Sequence, residues 1–369
     1  MFKPGTELHY QIALTLTHGL GPRLAKRLIS TFGSAQAVFK ASQKDLAQVE
    51  RITQPVLSDL KNTKHLARAE QELEFMEKHG LKAHFFLDKS YPRRLRHCED
   101  GPLILYQKGN CNLNRAKVLA VVGTRNATDY GKNFTARFTE ELKNMSPLIV
   151  SGMAYGIDAA AHRGALDHKI PTVGVMAHGL DKVYPHLHRK LAEEIIAAGG
   201  ALISEFISGS KPDRENFPKR NRIIAGMSDA TLVVEAGKKG GALITADLAN
   251  SYHRDVFAVP GRVNDRSSEG CNQLIKSNQA ALFTGVKDLE YIMGWQQDKS
   301  KTIQSELFTS LTAEEQELFD LLEKENRGLE LEYICNQLGK TTSKALQALM
   351  TLELKGMVRA LPGKVYTKG

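Results

Sequence analysis

At 369 residues the chain exceeds what one hydrophobic core usually serves, and its 42% hydrophobic and 25% charged content is that of a globular protein of two or three domains. It contains no apolar run long enough to span a membrane. Its start, Met1-Phe2-Lys3-Pro4-Gly5, lacks the apolar stretch of a secretion signal, and its four scattered cysteines (Cys98, Cys111, Cys271, Cys335) suit reduced thiols, so a cytoplasmic protein is expected. The net charge of +9 points to a polyanionic partner; the excess lies before residue 296, because the last stretch holds 10 Lys and Arg against 11 Asp and Glu.

Residues 1–82 read as helical, with apolar positions at helical spacing in Leu8–Leu16, Leu24–Phe32 and Val56–Met76. Between the first two, Gly19-Leu20-Gly21-Pro22 puts a proline where a helix starts, and Arg23, Lys26 and Arg27 follow. This is either a helix-hairpin-helix whose turn offers N–H groups to a phosphate or a plain helical pair with a solvated basic face. The pattern then turns extended, at Ala83–Leu87 and Leu103–Tyr106, around a basic loop, Tyr91–Arg96.

From residue 118, short β-rich runs alternate with helical ones. The runs are Val118–Val122, Leu148–Val150, Thr172–Met176, Ala201–Ser204, Ala230–Val234 and Val256–Val259. The helical stretches are Tyr130–Lys143, Ile157–Leu166, His186–Ala197, Lys219–Ala225, Ala242–Tyr252 and Asn272–Asn278. Such alternation predicts an α/β fold, a mostly parallel doubly wound sheet over residues 83–295. Residues 296–310 read as a polar linker. In 311–369, the capping box Thr312-Ala313-Glu314-Glu315 opens the first of three helices, and a hairpin follows around Pro362-Gly363. That outline is winged-helix-like. Its third helix offers only Lys344 and Lys355, so contact with protein is expected there rather than DNA reading.

In open α/β sheets, ligands bind beyond the carboxyl ends of the strands. Those ends here carry Gly123-Thr124-Arg125, Ser151-Gly152, Ala177-His178-Gly179, Glu205, Lys238-Lys239-Gly240-Gly241 and Pro260-Gly261-Arg262. Glycines that run into helix starts turn N–H groups and helix dipoles toward one edge, which suits phosphate. The segment Lys211–Arg222 adds Arg214, Lys219, Arg220, Asn221 and Arg222 around Phe217. Cations that track a backbone beside an aromatic ring are what single-strand binding needs, although composition alone leans toward Phe217 as a core residue on a solvated basic helix. Catalytic motifs are poor: neither a P-loop, a dinucleotide fingerprint, a zinc-protease helix nor a nucleophile elbow occurs. Asp158 and His162 stand four apart on one helix, read as a stabilising pair. Glu205 and Glu235 leave a carboxylate site open.

At these residues the sequence resembles the DNA-processing A (DprA/Smf) family. The likeness lies in Gly123-Thr124-Arg125, Ser151–His162, Phe217–Ser228, Val233–Ala236, Gly241–Ala246, Val256–Gly261 and Gly270–Ile275, in that order. The resemblance implies an extended Rossmann-like core, flanked by a helix-hairpin-helix/SAM-like domain and a winged-helix-like one. It implies single-stranded DNA binding, homodimerisation, help in loading RecA during natural transformation, and neither catalysis nor a cofactor. It places Gly123, Arg125, Ser151, Gly152, Arg214, Phe217, Asn221 and Arg222 at the DNA site; Thr124, Lys219, Arg220, Lys238, Gly240 and Gly241 join them as neighbours on the same edge. Two departures stand out. Arg214 replaces a lysine, and Gly240-Gly241-Ala242 replaces Ser-Gly-Ser, leaving only backbone donors there. The alternative is an enzyme on the same kind of sheet, a nucleotide phosphoribohydrolase.

Overall fold

The helical opening is more broken than its periodicity predicts. It comprises α1 (Glu7–Leu16), α2 (Pro22–Phe32), α3 (Ala35–Lys40), α4 (Gln43–Ala47), α5 (Gln54–Leu60) and α6 (Lys64–His79). The expected long helix over Val56–Met76 is split because the Asn62 side chain accepts from the Lys64 amide and offers the chain a turn. The computed structural model describes residues 3–295, 311–325, 328–355, 357–361 and 364–368. The predicted linker lies outside them, as does Pro362-Gly363.

The sheet portion runs β1 (Lys82–Phe85), α7 (Arg93–Arg96), β2 (Ile104–Gly109), β3 (Val118–Val122), α8 (Asp129–Glu141), β4 (Leu148–Gly152), α9 (Ile157–Asp167), β5 (Thr172–Val175), α10 (Arg189–Ala197), β6 (Ala201–Ser204), α11 (Asn216–Met227), β7 (Ala230–Val233), α12 (Gly241–Ser251), β8 (Asp255–Ala258), α13 (Glu269–Lys276), β9 (Ala281–Leu282) and α14 (Val286–Ile292). The strand order is β1-β2-β6-β5-β4-β3-β7-β8-β9. From β6 to β9 all neighbours are parallel, while β2 pairs antiparallel with both β1 and β6.

Strand alternation explains the two-sided burial. Val118, Ala120 and Val122 pack with Ile223, Ile224 and Ala246 on one face, and Leu119 and Val121 with Phe134, Phe138 and Ile157 on the other. The N-terminal helices close a third core. There Ile12, Leu14, Leu28 and Leu73 join Phe85, Ile104, Tyr106 and Leu202 of the β1-β2-β6 side in one continuous cluster.

The basic loop at Tyr91–Arg96 contains a helical turn, α7, with Arg93 and Arg96 exposed. Arg94 is buried and donates to both Asp229 oxygens and to the carbonyls of Arg115 and Ala116. The cations of α2 are also engaged by protein. Lys26 donates to the Cys98 and Glu99 carbonyls, Arg23 pairs with Glu99, and Arg27 pairs with Glu50. That geometry favours the plain helical pair over a phosphate turn.

A second compact unit, Gln296–Gly369, has its own core. It contains α15 (Ala313–Glu325), β10 (Leu329–Glu330), α16 (Leu331–Leu338), α17 (Thr342–Leu354), β11 (Val358–Leu361) and β12 (Val365–Lys368), with sheet order β10-β12-β11. The capping box is formed: Thr312 N–H donates to the Glu315 carboxylate and Glu315 N–H to the Thr312 hydroxyl. Lys355, one of the third helix's two cations, pairs with Glu315.

Candidate nucleic-acid interface

The chain leaves β3 for β4, β5 and β6, then crosses back to add β7 on the other side of β3. This reversal opens a crevice beyond the carboxyl ends of β3 and β7, where ligands are expected. A cavity of about 330 Å³ occupies it. Gly123, Thr124 and Arg125 line it from β3, Lys239, Gly240 and Gly241 from β7, and Phe217, Arg220 and Asn221 from α11. The N-terminus of α12 faces it, with no side chain capping its first amides. Asn221 donates to the Gly241 carbonyl and holds that turn against α11.

The floor is a buried charge. Arg220 is 5% exposed, its Nη1 lies 3.8 Å from the Asp158 carboxylate, and its Nε and Nη1 have no hydrogen-bond partner among the described residues. Burial pushes the Asp158 carboxyl above its usual range, while the Arg220 guanidinium opposes that rise. At the rim, the exposed Arg125 sets its guanidinium 5.2 Å from the centre of the Phe217 ring. Arg125, Arg214, Lys238 and Lys239 have neither an ion pair nor a side-chain hydrogen bond among the described residues. A helix N-terminus, an unsatisfied buried arginine and unpaired rim cations are an arrangement whose chemistry suits an anion.

The remaining residues expected at this edge do not line the cavity. Ser151 is fully buried and gives its hydroxyl to the Val121 carbonyl. Gly152 is a glycine for packing: a Cβ there would meet Arg220 Nη1 at 1.5 Å. Arg222 turns to the opposite side of α11 and pairs with Glu205, and Lys219 adds its charge to the same carboxylate. Lys239 lines the cavity where Lys238 does not, and Arg214 is exposed on the loop before α11.

Asp158 and His162 do not pair. His162 Nε2 donates to the Gly152 carbonyl at 2.8 Å, and its Nδ1 lies 2.7 Å from the Thr172 hydroxyl. Burial lowers its pKa from 6.5 to about 4. It therefore stays neutral in the fold while the unfolded chain takes up a proton, and its contribution to stability, complete above about pH 6.5, is lost as pH falls toward about 4. The urea midpoint should be lower at pH 5 than at pH 7, with a smaller drop in His162→Gln. The two strand-end carboxylates are also committed, Glu205 to Arg222 and Glu235 to the Thr128 amide and hydroxyl.

A doubly wound sheet with a cation-lined cavity at its switch point, in one chain with a winged-helix-like unit, defines a Rossmann-like protein with an accessory module. Residues 82–293 match the family model of DNA recombination-mediator protein A, and residues 307–364 match the DprA winged helix domain. The chain belongs to the DNA recombination-mediator protein A family. It is 38% identical to protein Smf of Synechocystis over 286 residues, 76% of this chain and 71% of that protein. The X-ray structure of DNA processing protein A from Streptococcus pneumoniae superposes with a TM-score of 0.66 at 31% identity, covering 77% of this chain and 97% of that one. DNA processing protein A from Helicobacter pylori, described for its unique single-stranded DNA binding mode, gives 0.52 at 29% identity, covering 58% and 95%.

Proposed function

We propose that this chain is a single-stranded-DNA-binding recombination mediator whose switch-point cavity takes backbone phosphates, with Phe217 stacking on a base. The observation that carries the reading is Arg220, a buried guanidinium with unsatisfied donors beneath a rim of unpaired cations. An anion completes its hydrogen bonding, and a polyanionic strand also satisfies Arg125 and Lys239. The family and the Helicobacter pylori relative's single-stranded DNA binding support the same ligand. The reading includes a cytoplasmic homodimer that helps load RecA onto incoming strands in natural transformation and carries out no reaction of its own. Among the described residues no group of His, Cys, Asp and Glu could hold a metal ion, and no helix is long and apolar enough to cross a membrane. The phosphoribohydrolase alternative is not favoured, because, of the strand-end carboxylates, Glu205 holds Arg222 and Glu235 holds Thr128.

Fluorescence anisotropy with a mixed-sequence oligonucleotide over a range of salt tests this. Wild type should bind with a steep salt dependence, a slope of about −0.7 per neutralised phosphate. Arg125→Ala and Arg214→Ala should each weaken binding and flatten the slope by roughly one contact. Wild-type binding by a stably folded Arg125→Ala, Lys239→Ala double variant removes the cavity rim from the function.

A further inference from the structure

Beside the anion cavity, sharing Arg125, Phe217 and Arg220 with it, lies a narrow slot of about 40 Å³. Its inner wall is apolar, formed by Met153 and Met176, each 2% exposed. At its mouth stands Tyr184, 48% exposed, its ring centre 6.3 Å from that of Phe217. The slot is too small to admit a nucleobase, so a base would lie across its mouth, against the two rings.

Tyr184 is held by its backbone amide and by a ring contact with His178, and the residue is about half exposed. Its amide donates to His178 Nε2 at 3.2 Å, and His178 Nδ1 donates to the Gly179 carbonyl at 2.8 Å. The His178 and Tyr184 rings meet edge to face at 89°. The Tyr184 hydroxyl makes no hydrogen bond among the described residues, so the side chain has no polar task in the fold. Arg125, Phe217 and Tyr184 thus form a row, cation over ring and ring beside ring, that leads away from the anion cavity. Arg125 and the glycine edge offer donors to phosphate, whereas the rings offer π-faces that only an unpaired, unstacked base can use.

We propose that Tyr184 is a second base-stacking residue, that it widens the site from one nucleotide to two, and that the Phe217–Tyr184 surface is what distinguishes single strands from duplex. This rests on the DNA-binding reading above. In a duplex the base faces are covered by their neighbours, so only the phosphate contacts remain, and these are common to both forms of DNA.

The test uses the full chain with three probes of equal length: a mixed-sequence single strand, the same strand with abasic sites, and a blunt duplex. Tyr184→Ala should weaken binding to the single strand by about 5- to 150-fold, the range expected for one stacked base. It should leave the salt slope, duplex affinity and melting temperature near wild type, since the ring is half exposed. Tyr184→Phe should bind like wild type, because it keeps the ring. On the abasic strand, wild type and Tyr184→Ala should bind alike. Wild-type affinity of Tyr184→Ala for the single strand overturns the proposal and leaves the phosphate cavity standing. Equal weakening on intact and abasic strands overturns it too, by assigning Tyr184 a structural role. A wild-type chain that binds no single strand overturns the functional reading itself, and this proposal with it.

Discussion

Arg220→Met is expected to destabilise the sheet unit by about 3–5 kcal/mol, because it removes the buried cation paired with the Asp158 carboxylate. Asp158 would then be pushed further toward its neutral form, and the variant's stability should rise as pH falls through the range in which that carboxyl protonates. Neutralising both partners, in Asp158→Asn with Arg220→Met, should recover most of the loss, since an uncharged pair of similar size incurs no such penalty. DNA affinity should not recover with it. The double variant lacks the unsatisfied Nε and Nη1 donors, and a charged hydrogen bond of about 1.5–3 kcal/mol corresponds to roughly ten- to a hundredfold in affinity. Urea midpoints and anisotropy on the same preparations separate the two effects. A double variant that regains stability and also binds like wild type makes Arg220 a structural residue alone.

Gly240→Ala should do the reverse, reducing DNA affinity at least tenfold while changing stability by less than about 1 kcal/mol. Gly240 has extended backbone, φ 165° and ψ 168°, that any residue adopts, and a Cβ built there meets nothing within 4 Å. Among the described residues nothing requires a glycine at that position. What the missing side chain leaves open is the approach to the first amides of α12, where a phosphate oxygen would sit. Gly156 is the control. Its φ is +78°, and a Cβ would lie 2.1 Å from the Thr124 carbonyl, so Gly156→Ala should lower the melting temperature first and binding only as a consequence. If Gly240→Ala binds normally, the α12 amides do not meet the strand's backbone.

The alternating sheet was legible because β3 to β8 are mostly apolar and nearly all run into a turn that contains glycine, two signals that agree. β9 carried no such signal: two residues cannot show a period. The site was legible as an edge but not as a set of side chains. Composition reveals that Lys219, Arg220 and Arg222 share a helix, but not which of them faces the cavity. That depends on Glu205, which draws Arg222 to the far side, and on Asp158, which holds Arg220 under the floor. Ser151 looked like a donor because it follows a strand, yet its hydroxyl is committed to Val121. Lys239, rather than Lys238, reaches the cavity, a choice between neighbours that no residue pattern encodes. Tyr184 went unnoticed because it lies six residues beyond His178, and only the fold sets it beside Phe217.

The core that runs unbroken from the N-terminal helices into β1, β2 and β6 has a thermodynamic consequence. Removing α1 to α6 would uncover Phe85, Ile104, Tyr106 and Leu202 along one side of the sheet, so the first 82 residues and the sheet cannot melt independently without exposing that surface to water. Three kinds of architecture therefore amount to two cooperative units: residues 1–295, which gain and lose their structure together, and the winged-helix-like segment, which closes around apolar residues of its own.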